Sequence, residues 1–494
     1  MKGKYEEIHP MNLENLEARL KSLAKMDIIK PPVELIQSLP RKFKQKFPRS
    51  RTLSLEYQKY IPGGHEHQNA IKWPFTITMD KGEGAFVWDV DGNAYVDFLM
   101  ASGPIILGHN YPEVMEHVIS IIREKGPALG VMSEQELLAA KEIVKHVDSV
   151  KQVRFYQSGT EVGMAAARLA RCYTGKEYII KAGGSYHGWS DQFVYDLHIP
   201  GTGALFSYGI PRGCYEKTLS FKPGDIRRLE KLLKRYNKPG KGGVAAVFLE
   251  GGGGDGMTHY VPREFYHAAR ELCDDHGALM VMDEVITGFR LAMGGAQEYF
   301  GINADLSMLG KIVGHQYPSA GALGGREDVM ELLGAQAEEV DENGTSIKKS
   351  VMTAGTLAGT NITCAAACKA IQCIEKTDAI NIAARVADKI TAIINDAFES
   401  HDLPFFAYNF KSIIHCATSG SSFYHISLNL PDALEKIDAC REVLGMYNAM
   451  LMLEGIQSLQ AMRFYTSLAH DSSEVLEKVA NAFDAFAANL ASME

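Results

Sequence analysis

At 494 residues the chain is long enough for two domains and a large core. Its 46% hydrophobic and 22% charged residues are ordinary for a globular protein. A formal net charge of −9 argues against a nucleic-acid surface, whose affinity rests on lysine and arginine neutralising phosphates. The opening stretch MKGKYEEIHPMNLENLEARL is too charged for a secretory signal, and no apolar run is long enough to span a bilayer. The eight cysteines form no CxxC pair, so free or buried thiols and a cytoplasmic location are expected. Cys364 and Cys368 share a helix face with no histidine at zinc-finger spacing, and no metal is expected.

In chain order, Leu13, Leu16, Leu20 and Leu23 stand at helical spacing and predict a short amphipathic helix over residues 11–26. Pro31, Pro32 and Pro40 then predict a broken chain, with Arg41 to Arg51 basic and irregular. This leader is expected to pack on a partner subunit or a domain edge. Residues 76–79 and 84–89 read as strands, and Asp91-Gly92 as a hairpin turn. From about residue 110, helices at 111–124 and 134–146 alternate with strands at 152–156, 177–181, 244–249, 279–282 and 305–309. That alternation predicts a doubly wound, mostly parallel sheet. Residues 331–354 are polar and read as a mobile loop. A long Ala-rich helix follows, from Cys364 to Lys376 and then Ala379 to Phe398, and leads into a smaller α+β segment with a strand near 423–430. The predicted divisions are a helical extension (1–50), an N-terminal part of a small domain (51–109), a large domain (110–364) and a C-terminal small domain (365–494).

Chemistry concentrates between Leu279 and Lys311. The apolar run LMVM ends in Asp283 and Glu284, and a second short run, Leu306 to Leu309, leads through Gly310 into Lys311. Side chains at the carboxyl ends of neighbouring parallel strands converge on one crevice. An acid and a lysine there match what pyridoxal phosphate requires, an amine for the aldehyde and a carboxylate for the pyridine nitrogen. Taken singly, both residues read more readily as solvated strand ends, the usual fate of a lone Asp or Lys. Ser158, Gly159 and Thr160 stand between a short strand and a helix, where unpaired N–H groups and the helix dipole suit a phosphate; a plain N-cap explains them as well. Tyr186 and His187 follow the strand at 177–181, and a tyrosine there can stack on a ring. Val285, two residues past Asp283, can cover the other face.

The order phosphate turn, aromatic, acid, lysine, then GTLAGT (Gly355 to Thr360) resembles the class III, fold-type I pyridoxal-phosphate aminotransferases. The nearest branch is that of glutamate-1-semialdehyde aminomutase and β-amino-acid aminotransferases. The resemblance is carried by PGG at 62–64, WDVDGNAYVDF, GPIILGH, SGTE, LARCYTGK, SYHG, MDEVITGFR, LGKIVG and AGTLAGT, with TSLAH at 466–470 a weaker match. It implies an α/β fold with a mostly parallel sheet in a large domain, and a smaller α+β domain made by both chain ends. It also implies a Schiff base on Lys311, phosphate contacts from Gly159 and Thr160, Tyr186 on the ring, Asp283 at the pyridinium and Val285 behind it. Glu250 would lie near the cofactor. Thr356 would reach the phosphate from a second subunit, making a homodimer or larger assembly that acts on a small amino acid or amine.

The substrate side departs from that pattern. After PGG the chain reads His65, Glu66, His67, Gln68, Asn69, Ala70, where the family has small serines and an arginine. GGGGD (Gly251 to Asp255) replaces Pro-Val-Val-Gly-Asn, and His315-Gln316 replaces a glycine pair. Met462 stands where a glutamate is usual, and Arg463 beside it can grip a carboxylate with two parallel hydrogen bonds. His67 and His315 are candidate proton carriers on the substrate side. Aminotransfer is the expected reaction, with isomerisation, racemisation or β-elimination on the same cofactor as the alternative.

Overall fold

The computed structural model describes residues 15–67, 71–197, 199–252, 260–334, 350–426, 428 and 431–491. The chain divides into two compact units, residues 112–377 and residues 1–111 with 378–494.

The larger unit is built on a seven-stranded sheet. Its order is 152–156, 321–325, 306–310, 279–284, 244–250, 178–182, 218–221. Only the 321–325 strand is antiparallel to its neighbours. The strands at 244–250 and 279–284 are buried at every position, which is why they read as unbroken apolar runs. The Gly159–Thr174 helix packs on the sheet through Val162, Ala166, Leu169 and Ala170. Two strands of this sheet lack a sequence signal. Gly321–Gly325 (GALGG) has almost no side chain to mark a strand. Its glycines are required by close approach: a β-carbon at 321 would lie 2.7 Å from the Ser158 carbonyl oxygen, and one at 325 would lie 2.6 Å from that of Asp305. Thr218–Phe221 is a four-residue edge strand.

In the smaller unit the leader differs from expectation. Residues 41–51 are helical rather than irregular, apart from the junction at Phe47. One helix runs Val33–Lys46 through Pro40, and the next, Pro48–Tyr60, starts with proline in its first turn. Burial of Leu39 and Phe43 on either side of Pro40 holds the turn that proline weakens. Leu16, Leu20, Leu23 and Leu39 join one core with Ile390, Phe398, Tyr447 and Phe483 of the C-terminal helices, so the leader packs on its own chain. Leu13 lies outside the described residues.

Asp91-Gly92 is the predicted turn, with Gly92 at φ 89 between strands Phe86–Asp89 and Ala94–Asp97. The strand paired on the other side of Phe86–Asp89 is Met79–Glu83, not 76–79. The strand expected near 423–430 is instead a 3-10 turn, Ser421–His425; Ser421 Oγ donates to the Cys416 carbonyl and accepts from Thr418 N–H, the local bonding by which serine displaces a strand. Residues 427, 429 and 430 lie outside the described residues. The three-stranded sheet of this region comprises Phe406–Phe410, Ile413–Ala417 and Arg463–Tyr465. Of the loop expected at 331–354, residues 335–349 also lie outside the described residues. All eight cysteines are unpaired. No helix among the described residues is long and apolar enough to cross a membrane.

Candidate active site

Five parallel strands of the larger unit end on one side of the sheet, and each hands over a candidate residue. Strand 152–156 leads to Ser158–Thr160, strand 178–182 to Tyr186 and His187, and strand 244–250 ends in Glu250. Strand 279–284 carries Asp283, and strand 306–310 leads to Lys311. In the register between the last two strands, Asp283 faces Met308 and Glu284 faces Leu309, so Lys311 begins just beyond the acid.

Val285 ties three of these ends together. A β-carbon at Gly159 would lie 3.1 Å from Val285 Cγ2, and one at Gly310 would lie 3.2 Å from Val285 Cγ1. The start of the helix, the residue after the acid strand and the residue before the lysine are therefore in mutual contact. A side chain at 159 or 310 would crowd the valine by a few tenths of an ångström. At the helix start, Ser158 Oγ accepts from Glu161 N–H at 3.3 Å. Lys311 sits at φ 45, a left-handed conformation uncommon outside glycine.

The loop after strand 178–182 closes over this edge. Gly188, at φ 93, lies so near the helix that a β-carbon would fall 2.5 Å from Thr160 Cα. Tyr186 is 43% exposed, and its N–H donates to Glu250 Oε1 at 2.6 Å. His187 is buried, with Nδ1 2.7 Å from Asp283 Oδ2, while Asp283 Oδ1 accepts from Val285 N–H at 3.0 Å. Burial pushes the His187 pKa down; the Lys181 ammonium adds to that effect and Asp283 opposes it. A neutral imidazole therefore donates from Nδ1 to a carboxylate, the tautomer that this hydrogen bond selects. The sequence marks His187 only by its place beside Tyr186 and carries no sign of its bond to Asp283.

Glu284, next to Asp283, faces the interior. It accepts from Thr287 Oγ1 and from the N–H groups of Ala296 and Gln297, both at 2.9 Å, and burial raises its pKa. It braces the strand end.

Thr356 is exposed in a turn and lines a groove of about 590 Å³ with Leu129, Met132, Tyr156 and Asn361. His315 is buried at φ 52 and ψ −120, four residues past Lys311. His67 and Arg463 belong to the smaller unit. His67 is exposed after the Pro62–Gly64 turn, and residues 68–70 lie outside the described residues. Arg463 is buried on its strand opposite His415, with a guanidinium nitrogen 3.4 Å from the Tyr465 hydroxyl.

The donor set fits a phosphorylated pyridine aldehyde. The first turn of a sixteen-residue helix faces the crevice, a buried acid ends strand 279–284, and an amine follows the adjacent strand 306–310. Residues 68–404 match the family described as Aminotransferase class-III, and the chain belongs to that family of pyridoxal-phosphate enzymes. It is 32% identical to the glutamate-1-semialdehyde 2,1-aminomutase of Syntrophobacter fumaroxidans, over 88% of this chain and 97% of that one. Among solved structures, an omega-transaminase from Sphaerobacter thermophilus superposes with a TM-score of 0.78 at 24% identity, covering 91% of this chain and 99% of that one. A β-phenylalanine aminotransferase from Variovorax paradoxus gives 0.74 at 25%, covering 92% and 96%.

Proposed function

We propose that this chain is an aminotransferase that moves an amino group between an amino acid, or an amine bearing an anionic group, and a keto or aldehyde acceptor. The observation that carries this reading is Val285 in contact with both Gly159 and Gly310, which gathers phosphate turn, acid and lysine around one small volume. Bound pyridoxal phosphate supplies an electron-withdrawing ring that takes up the electron pair left when a substrate Cα–H bond breaks.

The residues of the chain would divide the remaining work. Gly159 and Thr160, with Ser158, hold the phosphate at the helix start, and Thr356 does so from a partner subunit. Asp283, oriented by His187, keeps the proton on the pyridine nitrogen. Tyr186 and Val285 cover the two ring faces, with Glu250 beside the tyrosine. Lys311 holds the aldehyde carbon and, once substrate displaces it, carries the proton from the substrate Cα. His67, His315 and Arg463 are the proposed substrate contacts. A homodimer is supported by the exposed apolar surface of Leu129, Val131, Met132 and Leu357 beside the Thr356 groove. The unpaired thiols suit a cytoplasmic location.

A second reading is isomerisation, favoured by the near full-length match to an aminomutase. A panel of α-, β- and ω-amino acids added to the purified protein without keto acid separates the two. An aminotransferase loses its visible absorbance in proportion to donor and regains it only with an acceptor. An aminomutase or lyase turns over a single substrate and returns to its starting spectrum. A protein that gains no visible absorbance when pyridoxal phosphate is supplied, or no borohydride label on Lys311 in that state, would overturn both.

A further inference from the structure

The peptide that joins Ser185 to Tyr186 is gripped from both sides. Its carbonyl accepts from Lys181 Nζ at 2.8 Å, and its N–H donates to Glu250 Oε1 at 2.6 Å. Lys181 is fully buried on its strand, and Glu250 is buried at the end of the adjoining one. A buried ammonium is costly unless hydrogen bonds replace its water. Here Nζ also donates to the carbonyls of Phe193, at 3.2 Å, and Tyr195, at 3.1 Å, so one cation binds both limbs of the loop. The backbone that carries the anion is equally well seated. The Glu250 carbonyl accepts from the Tyr266 hydroxyl at 2.9 Å, and the hydroxyl oxygen accepts from Gly252 N–H at 2.6 Å. Charge-assisted bonds on the two ends of one amide polarise it in the same sense, and each strengthens the other.

The residues just beyond this peptide are the part of the loop that meets the crevice. Tyr186 comes first, then His187 on Asp283, then Gly188 against Thr160. We propose that Lys181 and Glu250 form a clamp on the 185–186 peptide and are positioning residues that fix where Tyr186 and His187 stand. On this reading the Glu250 carboxylate acts through the loop rather than by touching the cofactor. The clamp rests on the cofactor site proposed above.

The test uses the full-length holoenzyme and the variants K181M, E250A, E250Q and K181M/E250A. Readouts are the pyridoxal-phosphate dissociation constant, the circular dichroism of the bound cofactor and deuterium exchange at the Tyr186 amide. K181M and E250A should each weaken cofactor binding roughly ten- to a hundredfold, perturb the dichroic band and speed Tyr186 exchange. E250Q keeps an acceptor oxygen and should lose less than about threefold. The double variant should be scarcely worse than the poorer single one, because both side chains hold one peptide.

Multiplicative losses in the double variant, E250Q as damaged as E250A, or unchanged exchange at Tyr186 would each overturn the clamp. If K181M does not fold, E250A, E250Q and the exchange readout decide alone. Borohydride labelling of Lys311 in the unaltered protein separates the outcomes: no label sinks the cofactor site itself, whereas a label with independent variants sinks only the clamp.

Discussion

His187 packs between the rings of Phe193 and Phe248, at centroid distances of 5.5 and 5.7 Å, and its burial lowers its pKa. The unfolded chain takes up a proton on this imidazole near pH 6.5, whereas the folded chain resists it. Below that pH the unfolded state binds more protons, so this group makes stability fall as pH is lowered through the ordinary histidine range. A urea titration of the apo-protein between pH 7.5 and 5.5 should show that loss, and H187Q should reduce it. His315 offers a second residue-scale check. Its φ of 52 and ψ of −120 lie where glycine alone is unstrained, a strain of about 1–3 kcal/mol. H315G relieves it at an entropic cost of roughly 0.5–1 kcal/mol. The expected outcome is an apo-protein about 1 kcal/mol more stable, with a raised KM if the imidazole meets substrate. A lower melting temperature would show that His315 contacts outweigh the strain.

At the scale of elements, the contact of helix start, acid strand and lysine strand around Val285 makes an unusual forecast for Gly159. Alanine in a helix is ordinarily favoured over glycine by about 1 kcal/mol. Here the added β-carbon meets Val285 Cγ2 at 3.1 Å and Cγ1 at 3.3 Å, so the valine must give way for it to fit. G159A should therefore lower both the melting temperature and the affinity for pyridoxal phosphate. Placed on a V285A background, the same change should become neutral or stabilising, since the crowding is gone. Additive effects in that cycle would show that the two residues are not in contact.

For the whole molecule, the decisive surface is the exposed apolar group Leu129, Val131, Met132 and Leu357 beside the groove that Thr356 lines. Met132 is 78% exposed on a single chain, so glutamate there should leave the chain's own melting almost unchanged. In a homodimer the same charge is buried. Sedimentation equilibrium should then show M132E at the mass of one chain and the unaltered protein at twice that mass. Cofactor affinity should fall with it, because Thr356 would no longer reach a neighbouring phosphate. Equal masses for the two proteins would remove the dimer from the proposal.

Ordered motifs alone placed Ser158–Thr160, Tyr186, Asp283, Val285 and Lys311 in one group. They were legible because each lies at or just past the end of a short apolar strand, and parallel strands deliver such residues to a single edge. The turn at Asp91-Gly92 was legible for a similarly local reason, a glycine in a left-handed conformation. Other features depend on contacts between residues far apart in the chain. GALGG is a strand only because it pairs on both sides, with 152–156 and with 306–310, and the proline-marked leader is helical because Leu39 and Phe43 are buried. Local pattern carried the identity and order of the chemical groups; the Asp283–His187 bond and the two-sided hold on the 185–186 peptide arose only on folding, because hydrogen bonds between distant strands leave no periodic trace in a sequence.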